Sequence, residues 1–127
     1  MLEGTMLEKK IWAVVGANND PDKYGNKIYK TLKKRGYEVY PVNPKYELVE
    51  GAPCYRDLKS LPRIPEVLNM VVAPQFGKHY IEEAAKLGIK YVWLQPGTFN
   101  DELLDLINIK GLQSIQACIL LAQYPRI

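Results

Sequence analysis

The chain is poor in the residues that carry most side-chain chemistry: one histidine, His79, and two cysteines, Cys54 and Cys118, among 127 residues. Two separated cysteines make neither a metal-ligand cluster nor a disulfide framework. With no secretory segment at the start, they are expected to be reduced thiols in a cytoplasmic protein. Long hydrophobic runs are missing too. Stretches such as "ACILLA" (Ala117 to Ala122) fall far short of the ~20 residues that cross a bilayer, so no membrane span is expected. Nor does one charge dominate: 17 basic residues against 14 acidic ones give a net charge of +3, no strong field for nucleic acid. Lys27, Lys30 and Lys34 share one side of an expected helix but lack a neighbouring aromatic motif, and read as a solvated face.

What is present is the composition of an ordinary globular chain, 47% hydrophobic and 24% charged, long enough for one core and too short for a separate catalytic domain. The opening "MLEGTMLEKK" repeats Met-Leu-Glu at Met1 and Met6. It is expected to be a tail over residues 1–9, ahead of a single domain over 10–127.

"IWAVVG" (Ile11 to Gly16) is a continuous apolar run ending in glycine, as in a central strand covered on both faces. Tyr24, Ile28 and Leu32 then recur at helical spacing, and Lys33, Lys34 and Arg35 before Gly36 supply a favourable helix end. "YEVYPVNP" makes a second strand. The proline-rich connection after it is expected to hold a short helical turn over Tyr55 to Ser60. "EVLNMVVAP" is a third strand followed by a helix over Gly77 to Leu87, and "KYVWLQPG" a fourth. Asn100 caps another helix ending at Lys110 and Gly111, and "LQSIQACILLA" offers a fifth short strand. Alternating strands and helices predict an α/β fold, a Rossmann-like three-layer sandwich with a mostly parallel five-stranded sheet in the order 3-2-1-4-5.

In such a sheet the ligand lies beyond the carboxyl ends of the strands. A dinucleotide fingerprint starting at Gly16 would need glycines at positions now held by Asn18 and Pro21. What remains is Gly16, Ala17 and Asn18, whose backbone N–H groups could face a pyrophosphate near a helix start; a plain strand-to-helix turn is the alternative. The second strand ends in Asn43, Pro44 and Lys45 rather than the acidic residue that holds an NAD ribose. A lysine there favours a 2′- or 3′-phosphorylated adenosine, the alternative being a solvated surface lysine. An NADP-dependent oxidoreductase with an atypical phosphate loop thus stays open beside a binding module.

The stretch "WAVVGANNDPDKYGNKIYKTLKKRGYEVYPVNPK", with the later "VVAP" and "VWLQPG", resembles the small coenzyme-A-binding proteins. Their Rossmann-like domain is similar to the CoA-binding domain of the succinyl-CoA synthetase α subunit. The resemblance covers about Lys10 to Cys118. It implies that Gly16, Ala17 and Asn18 cradle the CoA pyrophosphate, with Tyr24 and Gly25 where the helix begins. Asn43 and Lys45 would lie near the phosphorylated adenosine. Pro74, Gln75, Gln95, Pro96 and Gly97 would border the pantetheine path. It further implies non-catalytic binding of CoA or an acyl-CoA, as a sensor, carrier or partner subunit that works with a protein partner; separately, an exposed sheet edge or the tail could make a homodimer. Family members often end in a basic residue before a cysteine and an acidic-histidine tail, whereas this chain reads "QACILLAQYPRI".

No catalytic constellation and no metal site are expected. His79 falls inside a helix without a paired carboxylate in sequence and reads as a surface histidine. Cys118 reads as a small buried hydrophobe or as a thiol placed to meet that of CoA.

Overall fold

Alternation along the core strands divides the interior into two apolar layers in a computed structural model that describes residues 1–124. The elements run α1 (Leu2–Glu8), β1 (Ile11–Val15), α2 (Tyr24–Lys34), β2 (Glu38–Val42), β3 (Leu48–Val49), β4 (Ala52–Pro53), β5 (Val67–Met70), α3 (Pro74–Leu87), β6 (Tyr91–Leu94), α4 (Asp101–Ile109) and β7 (Gln113–Gln116), then a 3₁₀ turn at Ile119–Leu121. Successive strand side chains point to opposite faces. Trp12, Val14, Val67 and Trp93 therefore pack with α1, α2 and the 3₁₀ turn through Leu7, Ile28 and Ile119. Ala13, Val15, Leu68, Met70, Val92 and Leu94 pack with α3 and α4 through Ile81, Ala84, Leu103 and Ile107. The result is the expected three-layer Rossmann-like α/β fold with five parallel strands.

The strand order differs from the expected 3-2-1-4-5. It is β2-β1-β5-β6-β7, so the third core strand lies beside the first and the second lies at the edge. Pro41 in β2 explains why. The Pro41 carbonyl accepts from Tyr55 N at 3.0 Å on the side away from β1, and within a strand a residue's nitrogen faces the same side as its carbonyl. The missing N–H thus falls on the outer edge, where proline is tolerated; a β2 paired on both sides would lose a ladder bond there. Every residue of β5 is fully buried, including Asn69, as a central strand requires.

Two further expectations give way. Residues 1–9 are not a tail outside the fold: α1 puts Met6 and Leu7 into the core at 0% and 2% exposure, and Tyr37 Oη donates to the Leu7 carbonyl at 2.6 Å. The helical turn expected over Tyr55 to Ser60 is instead a bent segment that buries Leu58, its Leu58 and Lys59 N–H groups donating to the Glu83 carboxylate at 2.9 and 3.1 Å. A short β3–β4 hairpin precedes it. Residues 125–127, which close the expected domain range and the terminal "QACILLAQYPRI", lie outside the described residues.

Candidate functional site

β1 leads through α2 to β2 on one side, while β5, β6 and β7 extend the sheet on the other. The strand order therefore reverses between β1 and β5, which opens a crevice beyond their carboxyl ends. Gly16 stands at that point with φ +103°, a conformation that favours glycine. Space demands glycine as well, because a Cβ would lie 2.9 Å from Val72 Cγ1 and 3.2 Å from the Val71 carbonyl carbon. At Gly25, in the first turn of α2, a Cβ would overlap the Gly16 carbonyl oxygen and approach Asn18 Nδ2 to 2.7 Å. Gly25 thus lets helix and loop touch, although no dinucleotide fingerprint is present.

The loop from Gly16 to Lys23 is held by its own asparagine and aspartate side chains. Asn18 Oδ1 accepts from Asp20 N and Asp20 Oδ1 from Asp22 N, both at 3.0 Å, successive turns that these side chains form readily. Asn26 Nδ2 donates to the Asn18 carbonyl at 2.8 Å and to Glu50 Oε2 at 2.9 Å. Asn19 bonds the hairpin through the Leu48 carbonyl and the Glu50 N–H, each at 2.9 Å. Glu50 (φ +50°) and Gly51 (φ +78°) form the hairpin's tip, a two-residue turn with positive φ at both positions. The hairpin thereby braces the loop from outside. Lys23 precedes α2 without a side-chain cap, whereas Asn100 Oδ1 accepts from Leu103 N at 2.9 Å at the start of α4. The first N–H groups of α2 keep their capacity for an external acceptor.

Two clefts meet at Gly16. The first, about 500 Å³, is lined by Asn43, Lys45, Ala73, Gln75, Phe76 and His79 among others. Asn43 uses both ends of its amide internally: Nδ2 donates to the Ala17 carbonyl and Oδ1 accepts from Lys45 N, both at 2.9 Å. It shapes the turn that presents Lys45. Ala17 is fully buried and contributes its backbone. His79 is exposed on α3 yet lines this cleft, a placement the sequence reading missed. Pro74 at the first helical position, a site that suits proline, starts α3 three residues ahead of the expected Gly77. Gln75 and His79 then share a helix face at i, i+4. Tyr80 lines the same cleft; burial first, then the Glu83 carboxylate, raises its phenol pKa, and its Oη donates to the Arg56 carbonyl at 3.2 Å.

The second cleft, about 580 Å³, includes Asn18, Lys23, Tyr24, Gln95, Pro96 and Cys118 in its lining, with Gly25 and Thr98 beside them. Tyr24 stands 61% exposed at its edge. Gln95 is 3% exposed, and its Oε1 accepts from Asn69 Nδ2 at 3.3 Å and from Ile119 N at 3.0 Å. Thr98 Oγ1 closes the turn on the Gln95 carbonyl at 2.7 Å, and Gly97 bends the chain between them at φ +86°.

The expected site residues thus divide. Asn43, Lys45 and Gln75 share one cleft and Asn18, Tyr24, Gly25, Gln95 and Pro96 the other, with Gly16 common to both. Gln75 and Gln95 line different clefts. Pro74 lines a separate hollow with Lys78 and Asn100. Among the described residues no three His, Cys, Asp or Glu side chains could hold a metal ion, and no helix is long and apolar enough to cross a membrane.

Comparison with known proteins agrees with this architecture. A hypothetical protein from Pyrococcus horikoshii OT3 superposes with a TM-score of 0.85 at 37% identity, covering 91% of this chain and 82% of that one. The α subunit of the ADP-forming acetate–CoA ligase II of Pyrococcus furiosus is 37% identical over 90 residues, 70% of this chain but 20% of that subunit. YneT of Bacillus subtilis (strain 168) is 28% identical over 99 residues, 78% of this chain and 73% of that protein. The CoA binding domain family matches residues 10–124, from the start of the sheet through both clefts, and this chain belongs to that family.

Proposed function

We propose that this chain binds coenzyme A or an acyl-CoA across the two clefts, as a sensor, carrier or partner subunit rather than as an enzyme in itself. The phosphorylated adenosine occupies the first cleft, with Lys45 beside its 3′-phosphate. The pyrophosphate lies over Gly16 to Asn18 against the uncapped start of α2, and the pantetheine arm runs into the second cleft towards Gln95 and Pro96. The observation that carries this reading is the meeting of two clefts at one glycine beside a helix start whose N–H groups are free of side-chain caps. A long ligand with phosphates at its middle fits that shape, and a lysine at the end of β2 suits a phosphorylated ribose. His79 lines the first cleft and not the second, so in this placement of the ligand it stands away from the acyl end.

Calorimetric titration with CoA and with 3′-dephospho-CoA tests the reading. Tighter binding of CoA, with the difference lost in Lys45→Ala, is expected. Equal affinities in the unmodified chain would remove Lys45 from the phosphate contact, and absence of heat with both ligands would remove CoA.

A further inference from the structure

We propose that Cys118 is a thiol–disulfide exchange site for disulfides of coenzyme A, an inference that rests on the CoA reading above. The Cys118 thiolate attacks the CoA sulfur of a CoA disulfide. The S–S bond breaks, a Cys118–CoA mixed disulfide forms, and the other half leaves as a free thiolate that takes up a proton. The disulfide supplies the oxidising equivalent, so no further oxidant is needed.

Position is the first support. Cys118 is half-buried and lines the second cleft with Gln95, Pro96 and Thr98, whereas Lys45 lies in the first. The sulfur of CoA terminates the pantetheine arm, so an arm lying in this cleft carries its sulfur to the wall that holds Cys118.

Gln95 is the second, independent support. Both hydrogen bonds it makes from the side chain use Oε1, to Asn69 and to the N–H of Ile119. Nε2 has no partner among the described residues, although the side chain is nearly sealed from solvent and borders the cleft. A donor left open on an otherwise sealed side chain at the cleft wall suits an acceptor in the cleft, and the pantetheine arm offers amide carbonyls. The same glutamine holds Ile119, next in sequence to Cys118, so the open donor and the thiol stand in fixed relation.

Cys54 provides an internal contrast. Its Sγ donates to the Asn43 carbonyl at 3.5 Å, and burial above all raises its pKa, which keeps it a thiol rather than the reactive thiolate.

The test is intact-mass analysis of the full chain incubated with CoA disulfide, with oxidised glutathione in parallel. One CoA adduct per chain is expected. It should map by peptide analysis to Cys118, persist in Cys54→Ser, disappear in Cys118→Ser, and be released by dithiothreitol. It should form about tenfold or more faster than the glutathione adduct, because cleft binding holds the reacting atoms together, and excess desulfo-CoA should slow it. Binding of reduced CoA without any adduct overturns the inference and leaves the CoA reading standing. Failure of reduced CoA to bind overturns both. An adduct on Cys54, or equal rates with the two disulfides untouched by desulfo-CoA, marks ordinary surface thiol chemistry and also overturns the inference.

Discussion

Asn43 Nδ2, at the end of β2, donates to the carbonyl of Ala17 in the first loop at 2.9 Å, while Oδ1 of the same side chain accepts from Lys45 N at 2.9 Å. One amide therefore sets the lysine-bearing turn against the loop that follows β1. The arrangement separates positioning from contact, and mutation can tell the two apart.

Lys45→Ala should weaken CoA binding about tenfold, the loss expected for one charge-assisted contact of ~1.5 kcal/mol, and leave 3′-dephospho-CoA nearly unaffected. Asn43→Ala should weaken both ligands together and lower stability by roughly 1 kcal/mol, because the whole turn loses its register. Paired titrations of the two variants with both ligands check this.

Gly25→Ala should lower stability by about 1–3 kcal/mol, the usual range for an overpacked site, since the added methyl meets the Gly16 carbonyl and Asn18. Gly88 has open space around its Cβ position but a φ of +79°, so Gly88→Ala should cost through backbone conformation without disturbing the cleft. Thermal unfolding with and without CoA distinguishes them: both variants melt lower, and the Gly25 variant alone also loses its ligand-induced shift.

These residues also mark what could be read before the structure. The five core strands, α2, the cap at Asn100 and the loops at strand ends were legible because periodicity and turn residues report local structure directly; the two-residue strands of the β3–β4 hairpin were too short to show either. Strand order was misread because alternating strands and helices leave open on which side of β1 the third core strand lies; Pro41 pointed to an edge for β2. Met6 and Leu7 gave no warning, because seven residues of helix carry too little pattern to tell a docked segment from a tail. Lys45 and the Gly16 loop could be placed from their strand ends. His79 could not, because its place in the cleft depends on where α3 starts. The open Nε2 of Gln95 depends on long-range partners, Asn69 and Ile119, that sequence spacing does not reveal.

Asn69 is fully buried with Oδ1 unpartnered and only a 3.3 Å bond from Nδ2 to Gln95. A buried acceptor without a donor costs on the order of 1–3 kcal/mol; leucine repeats the branching of asparagine, but its bulkier methyl groups add an overpacking cost of similar size. Asn69→Leu should therefore change stability by no more than about 1 kcal/mol, the two effects offsetting each other, while Gln95 keeps its bond from Ile119. Urea unfolding of the two chains measures the difference.

Burial raises the Cys54 pKa, so at mildly alkaline pH the folded chain holds less Cys54 thiolate than the unfolded chain does. Iodoacetamide should label Cys118 ahead of Cys54 in the native protein, and the two should react at similar rates in urea. Peptide mass analysis after brief labelling reads the ratio. Cys54 labelled first in the native state would contradict the account of its burial.

The central claim is that one ligand spans both clefts across Gly16, and calorimetry with CoA, adenosine 3′,5′-bisphosphate, NADP and NAD tests it most directly. CoA should bind one-to-one, the bisphosphate more weakly because it fills only the first cleft, and the two nicotinamide cofactors not measurably. Binding of NADP without CoA, or of the bisphosphate as tightly as CoA, would contradict the account.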